Sequence, residues 1–291
     1  MESMVSTAWL EKHLDDPDLV VLDCTNLAEP GPNGRDYKTV SARELWEKEH
    51  IYRSGYAEFT SDLSGDATQF RNMLPTPEQF AAAMGALGVG DDKRVVLYDA
   101  KLSMWAARTW WMLRWVGFDN AAVLDGGWQS WTAEGRPTST APSPHETAIL
   151  TPRPRPELFV TREAVMAALD DGSIRLIDAL SEAQFTGEKS QLGLCGHIPG
   201  AVNIPAEDLV DPETFRFLPE KQLAGCFPDS RDQRTIIYCG SGIAAASNAH
   251  AMTRLGFNDI SIYMPGLQEW VYIDGAPLVN GPAPIETESE F

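Results

Sequence analysis

Apolar residues in this chain gather into short, nearly unbroken runs. Val95–Tyr98, Ala122–Leu124, Thr235–Tyr238 and Ile260–Tyr263 are such runs, and longer stretches with helical spacing alternate with them. Unbroken apolar runs are expected of strands covered on both faces. Their alternation with helices predicts a parallel sheet flanked by helices on both sides. In open sheets of this class, sites form at the carboxyl ends of the strands.

The pattern occurs twice. "RVVLYDAKLSMWAARTWWMLRWVGFDNAAVLDGGWQSWTAEGRPT" and "RTIIYCGSGIAAASNAHAMTRLGFNDISIYMPGLQEWVYIDGAPL" follow the same order of strand, loop, helix, Gly-Phe, strand and Trp-bearing segment. Tyr98 matches Tyr238, Gly117-Phe118 matches Gly256-Phe257, Gly127 matches Gly266, and Trp131 matches Trp270. Upstream, "LVVLDCTN" matches "IRLIDALS" and "EHIYRSGYA" matches "GHIPGAVNI". Self-similarity over about 130 residues is too long for a solenoid unit and indicates two copies of one domain. The expected organisation is α/β, with domains at 1–138 and 158–291. The intervening 139–157 lies in "RPTSTAPSPHETAILTPRPRPEL", whose six prolines exclude a helix and favour an extended linker across the surface.

Composition narrows the function. The chain has 291 residues, 43% of them hydrophobic, enough for one large core or two ordinary ones. Its formal net charge is −19. Binding to polyanions draws on clustered Lys and Arg, so neither nucleic acid nor an anionic membrane is an expected partner. The start "MESMVSTAWLEKHLDDPD" has no basic segment followed by an apolar one, and no run approaches the roughly 18 apolar residues of a membrane span. A cytoplasmic protein with reduced thiols is expected. The four cysteines, Cys24, Cys195, Cys226 and Cys239, have no metal-ligand spacing, and neither a metal nor a cofactor is expected.

Cys239 stands apart. It directly follows a predicted strand and opens the small-residue loop "CGSGIAA". Gly240 and Gly242 let consecutive N–H groups turn inward, and a helix expected from Ala244–Ala245 to Leu255 adds its free N-terminal amides. Gly240, Ser241, Gly242, Ile243, Ala244 and Ala245 would thus surround a charged sulfur. Such a nest predicts an acidified, nucleophilic thiol without a nearby cationic side chain, and could equally hold a persulfide. The other three cysteines lack a glycine nest and read as packing residues. In the first copy the position of Cys239 is held by Asp99, in the bulkier loop "YDAKLSMWAA". One active and one inactive copy are expected, with the first covering or shaping the site.

These motifs resemble tandem-domain rhodanese-type sulfurtransferases, the group of thiosulfate and 3-mercaptopyruvate sulfurtransferases. The resemblance rests on "YCGSGIAAA", "GHIPGAVNIP" at 196–205, "DGGW" at 125–128 and "NMLPTPEQFA" at 72–81. The Cys-Gly-Ser-Gly loop is similar to the mercaptopyruvate branch; the thiosulfate branch typically carries Arg and Lys at the positions of Gly240 and Ser241. The resemblance implies that Cys239 forms the persulfide, that Ser241 is the loop serine near the sulfur, and that Asp62 is an aspartate placed near the site. It also exposes departures. The usual loop threonine is Ala244 and a family histidine is Asn72, so a Cys-Ser-His-Asp relay cannot operate in its family form. The two arginines that bind the substrate anion fall at Thr186 and Ser190, with Lys189 adjacent as a flexible point charge. Arg71 or Arg108 of the first domain would be alternative carboxylate ligands.

The implied function is transfer of sulfane sulfur from a small anionic donor, of 3-mercaptopyruvate or thiosulfate type, to a thiol or cyanide acceptor through a Cys239 persulfide. A cysteine phosphatase on a related fold needs a longer loop closed by arginine, and here Ala245 stands six residues after Cys239. A persulfide carrier or binding module without small-molecule turnover is the alternative that Thr186, Ser190, Ala244 and Asn72 keep open. His197 in "GHIPG" reads as a fold-stabilising histidine rather than a general base. Asp178 reads as a ligand of local backbone, and the tryptophans at 105, 110, 111, 115, 128 and 131 as core, interface or pocket-mouth residues.

Overall fold

A computed structural model of the chain describes residues 1–30, 37–66, 70–142, 145–189 and 196–282. Two five-stranded sheets organise them. The first has the order Met4–Val5, Ala121–Leu124, Arg94–Tyr98, Leu19–Asp23, Ser54–Tyr56. The second has the order Phe159–Val160, Ile260–Tyr263, Thr235–Tyr238, Arg175–Asp178, Val202–Asn203. Every pairing in both is parallel. The registers repeat as well: Asp23 pairs with Tyr98, and Asp178 with Tyr238. The inner strands are buried along their length apart from the half-buried Arg94 and Arg175 at the starts of two of them, the environment their unbroken apolar runs require.

The helix after each central strand comes from the same local device. A residue in left-handed backbone caps each start, Ser103 (φ 57°) before Met104–Trp115 and Gly242 (φ 77°) before Ile243–Arg254. Each is followed, two residues past its end, by a glycine at φ 85°, Gly117 and Gly256. The second helix therefore begins one residue earlier than Ala244 and ends one before Leu255. The early start follows from Gly242, which turns the chain at once because it carries no Cβ. The equivalent tryptophans repeat too: Trp131 Nε1 donates to the Pro137 carbonyl (2.9 Å) and Trp270 Nε1 to the Pro277 carbonyl (3.0 Å).

The proline-rich segment is extended and pinned to the first domain. Thr138–Ser139 pairs antiparallel with His50–Ile51. Farther on, the amides of Ala148, Arg153 and Arg155 donate to the carbonyls of Gly85, Val116 and Trp115, and Leu150 is buried. The two domains share one hydrophobic core, in which the Met104–Trp115 helix packs along the Ile243–Arg254 helix. The alanines at 245, 246 and 249 are wholly buried there and allow the close approach. Trp110 meets the His250 ring edge-on at 4.7 Å, and its Nε1 donates to the Ala121 carbonyl at 3.0 Å.

Because Trp110 fills this seam and carries a buried hydrogen bond, Trp110→Ala should lower stability by about 3–5 kcal/mol, as for large aromatic truncations in cores. Urea unfolding followed by circular dichroism measures it. A loss within about 0.5 kcal/mol, the size of a surface substitution, would show that the seam is not part of the stabilising core.

Candidate active site

Cys239 follows the buried end of the Thr235–Tyr238 strand and is itself 2% exposed. Its Sγ accepts the Gly242 amide at 3.1 Å. The amides of Ser241 and Ala245 also converge on it. The loop is tied down from below: the Cys239 carbonyl takes the Leu267 amide (2.8 Å) and the Gly240 carbonyl takes the Gln268 amide (3.2 Å). Two glycines make this possible. A side chain on Gly266 would collide with the Cys239 carbonyl, and a Cβ on Gly242 would lie 2.8 Å from Arg108 Nη1 and 2.9 Å from the Met264 carbonyl.

Burial works against the expected acidic thiol. The amides of Ala245, Ser241 and Gly242 pull its pKa down, but burial pushes it up and prevails, with the nearby Asp178 adding in the same sense. The expected lack of a cation is corrected as well. Arg108 of the first domain reaches the underside of the loop, wholly buried. Asp178 accepts the Leu180 amide at 2.9 Å, as read from the sequence, and burial raises its pKa to about 7. Burial also pushes the Cys24 thiol far up and the Cys226 thiol up.

A cavity of about 370 Å³ opens in front of the sulfur. The first domain supplies Tyr37, Met104 and Trp105; the second supplies Ser181, Gln184 and Glu207 beside the loop residues Cys239, Gly240, Ser241, Ile243 and Ala244. Ser241 is held by the first domain: Asn72 Nδ2 donates to its Oγ (3.1 Å), which also shares a hydrogen bond with the Tyr37 hydroxyl (3.0 Å). Asn72 is buried in left-handed backbone at φ 57°, and its carbonyl accepts Arg108 Nη2 at 3.1 Å. Arg71 lies over the Tyr37 ring, and its backbone exchanges two 2.9 Å hydrogen bonds with the Gln268 side chain. Asn72 therefore positions Ser241, where a histidine would relay protons.

Other sequence-based candidates lie elsewhere. Asp62 is exposed, accepts from the Ser61 hydroxyl (2.6 Å) and does not line the cavity. Thr186 ends the short Glu182–Phe185 helix, where its carbonyl takes the Gly281 amide, and Lys189 is exposed; neither lines the cavity. The backbone after Phe185 turns away, leaving Gln184 to face the space. Ser190 and Cys195 lie outside the described residues. His197 is buried, stacked on Phe185 at 3.5 Å, with Nδ1 bonded to the Phe185 carbonyl, a structural role. Sequence reasoning missed Tyr37, Gln184 and Glu207. Tyr37 begins the strand Tyr37–Ser41, paired antiparallel with Asn26–Pro30; this pair has no counterpart among the described residues of the second copy, so the repeat gave no signal for it.

The first domain shows what the loop binds. The Asp99 carboxylate is wholly buried and takes four backbone amides: Lys101 (2.9 Å) and Ser103 (3.1 Å) on Oδ1, Trp105 and Ala106 (both 3.0 Å) on Oδ2. The same loop thus cradles a carboxyl group in one domain and a sulfur in the other; burial raises the Asp99 pKa while the amides of Ala106, Lys101, Ser103 and Trp105 pull it down.

A model of the rhodanese-like domain matches residues 6–134 and 161–272. The chain belongs to the rhodanese-like family. It is 31% identical to the probable 3-mercaptopyruvate sulfurtransferase of Pseudomonas aeruginosa over 96% of this chain and 98% of that protein. It is 31% identical to the thiosulfate sulfurtransferase of Rattus norvegicus, over 92% and 91% respectively. The crystal structure of the 3-mercaptopyruvate sulfotransferase SseA from Escherichia coli superimposes with a TM-score of 0.78 at 30% identity, covering 90% of this chain and 98% of that one. Within this rhodanese-like chain, no group of three or more potential metal ligands occurs among the described residues. No described helix is long and apolar enough to cross a membrane.

Since burial outweighs the amides, alkylation of Cys239 by iodoacetamide should climb through an apparent pKa above the ordinary thiol value of about 8.5. The rate is measured against pH with Cys24, Cys195 and Cys226 replaced by serine. A plateau already reached at pH 7 would mean that the amides, not burial, set the thiol.

Proposed function

We propose that this protein is a sulfurtransferase that moves sulfane sulfur from a small anionic donor, of 3-mercaptopyruvate or thiosulfate type, to a thiol or cyanide through a persulfide on Cys239. The Cys239 thiolate attacks the donor's sulfur. An S–S bond forms to Cys239, and the donor's bond to that sulfur breaks, its electron pair leaving with pyruvate enolate or sulfite. The acceptor then attacks the outer sulfur and the Cys239 thiolate departs. On this reading residues 158–291 carry the nucleophile and residues 1–138 shape its cavity. A reduced Cys239 is required, which suits a reducing compartment such as the cytoplasm.

The observation that carries the reading is the pair of loops. An aspartate places its carboxyl oxygens two bonds beyond Cβ, where a cysteine persulfide places its outer sulfur. The four amides around Asp99 therefore mark where the second domain would hold that sulfur, and there the cavity replaces the carboxylate. The names of the relatives supply the sulfur chemistry.

The cavity wall favours a second reading. Among the described residues it contains no Arg or Lys, and Glu207 stands in it. A persulfide carrier loaded by another protein needs no anion clamp. Incubating the protein with thiosulfate, mercaptopyruvate or a small persulfide, then measuring intact mass, separates the readings. Wild type should gain one sulfur and turn over with cyanide; Cys239→Ser should do neither while unfolding at the wild-type temperature. Cys24→Ser, Cys195→Ser and Cys226→Ser should keep most activity. Turnover by Cys239→Ser would end the proposal. Loading by the persulfide alone, without turnover of either small anion, would establish the carrier instead.

Glu207 repels an anionic donor across the cavity mouth. Glu207→Gln should lower the KM for thiosulfate by about twofold to fivefold, the size of an exposed charge interaction, with kcat unchanged. Steady-state kinetics at low ionic strength checks it; an unchanged KM would place the donor away from Glu207.

A further inference from the structure

The domain without a nucleophile sends one charged side chain beneath the loop of the other. Arg108, on the Met104–Trp115 helix, is fully buried, with 0% exposure. Nη2 donates to the Asn72 carbonyl, while Nε and Nη1 have no hydrogen-bond partner. Among the described residues no carboxylate pairs with it. Its guanidinium carbon lies 5.5 Å from the Phe159 ring centre, on an apolar side. Nη1 lies against Gly242, whose amide holds the Cys239 sulfur.

A buried cation without a counter-charge is costly, and the structure that keeps one must balance it in some state of the protein. The groups facing the loop limit the choice. Asp178 is buried and pushed toward its neutral form; the Tyr37 hydroxyl is bonded to Ser241 and raised by burial; Arg71 stacks on Tyr37; Glu207 stands in the exposed cavity wall. The buried group near Arg108 that gains a negative charge during sulfur transfer is Cys239. Burial draws the Arg108 pKa down to about 10, and the charge of Cys239 acts on it in the opposite sense.

We propose that Arg108 is the counter-cation of the Cys239 thiolate and of its persulfide, so that the silent domain supplies the charge its active partner lacks. The proposal rests on Cys239 as the sulfur carrier. Arg108 is a positioning residue: it sits behind the Gly242 amide and lowers the energy of the anion in front of it. It does not line the cavity, which corrects its reading as an alternative ligand for a donor's carboxylate. Two consequences follow from charge coupling. Removing the cation should raise the thiol pKa. Loading the persulfide, an anion at neutral pH, should stabilise the protein because it balances a cation that the protonated thiol leaves uncompensated.

The test uses the full chain as wild type, Arg108→Gln and Arg108→Lys. Glutamine keeps a donor for the Asn72 carbonyl and loses the charge; lysine keeps the charge. Iodoacetamide rates against pH give the Cys239 pKa, and thermal unfolding is compared with and without one sulfur verified by intact mass. Arg108→Gln should raise the apparent thiol pKa by about one unit, a tenfold loss of thiolate at neutral pH, and Arg108→Lys should restore most of it. Loading should raise the unfolding temperature of wild type and of Arg108→Lys but not of Arg108→Gln. A purely structural Arg108 would give the opposite result: lower unfolding temperatures in both states and an unchanged thiol pKa, which would overturn the proposal. If Arg108→Gln does not fold, wild type alone decides, since no rise on loading would overturn it. If no donor loads Cys239, the sulfurtransferase reading fails, while the pH profiles still judge Arg108.

Discussion

The left-handed turn at Gly242 holds the site together. At that residue the chain leaves the strand and enters the helix, its amide meets the Cys239 sulfur, and its missing side chain leaves room for Arg108 and the Met264 carbonyl. Backbone from one domain, a cation from the other and the reactive sulfur come within a few ångströms only because nothing stands between them. A methyl group there would push apart the loop, the guanidinium and the 264–268 segment together. The close helix seam has the same logic, with buried alanines setting the distance over which Arg108 must reach.

Duplication gave the protein two versions of one anion cradle. In the first domain Asp99 fills the cradle with its own carboxyl group, so the amides are satisfied from within the chain. In the second, a shorter side chain ending in sulfur leaves part of the cradle to the cavity. The same buried Asp–Tyr pairs, Asp23 with Tyr98 and Asp178 with Tyr238, support both loops at the strand ends. The fold is conserved between the copies, while the residue at the strand end and the loop that follows it separate a cradle filled by its own side chain from one that opens on a cavity. The first domain nevertheless brings Tyr37, Asn72 and Arg108 against the Cys239 loop, so its contacts there come from side chains outside its own cradle.

Much of this was legible in the linear chain, for a local reason. Strands, helix ends and the Gly-rich loop depend on residues within a few positions of one another. The run Thr235–Tyr238, the glycines at 240 and 242 and the matching of Asp99 with Cys239 could therefore be read directly, as could two copies of an α/β domain; the rhodanese-like fold was what the resemblance of those motifs implied. The place of Ser241 beside the sulfur belongs to the same local logic. What the chain could not show is set by pairs of residues far apart in sequence. Tyr37 and Asn72 reach Ser241 across 204 and 169 positions, and no local pattern records such distances. Asp62 and Thr186 matched a motif, yet the backbone carries them away from the cavity. The protonation of Cys239 is the clearest case: loop composition argues for an acidic thiol, but burial between two packed domains raises it. Desolvation is a property of everything surrounding the sulfur, and only the tertiary structure decides it.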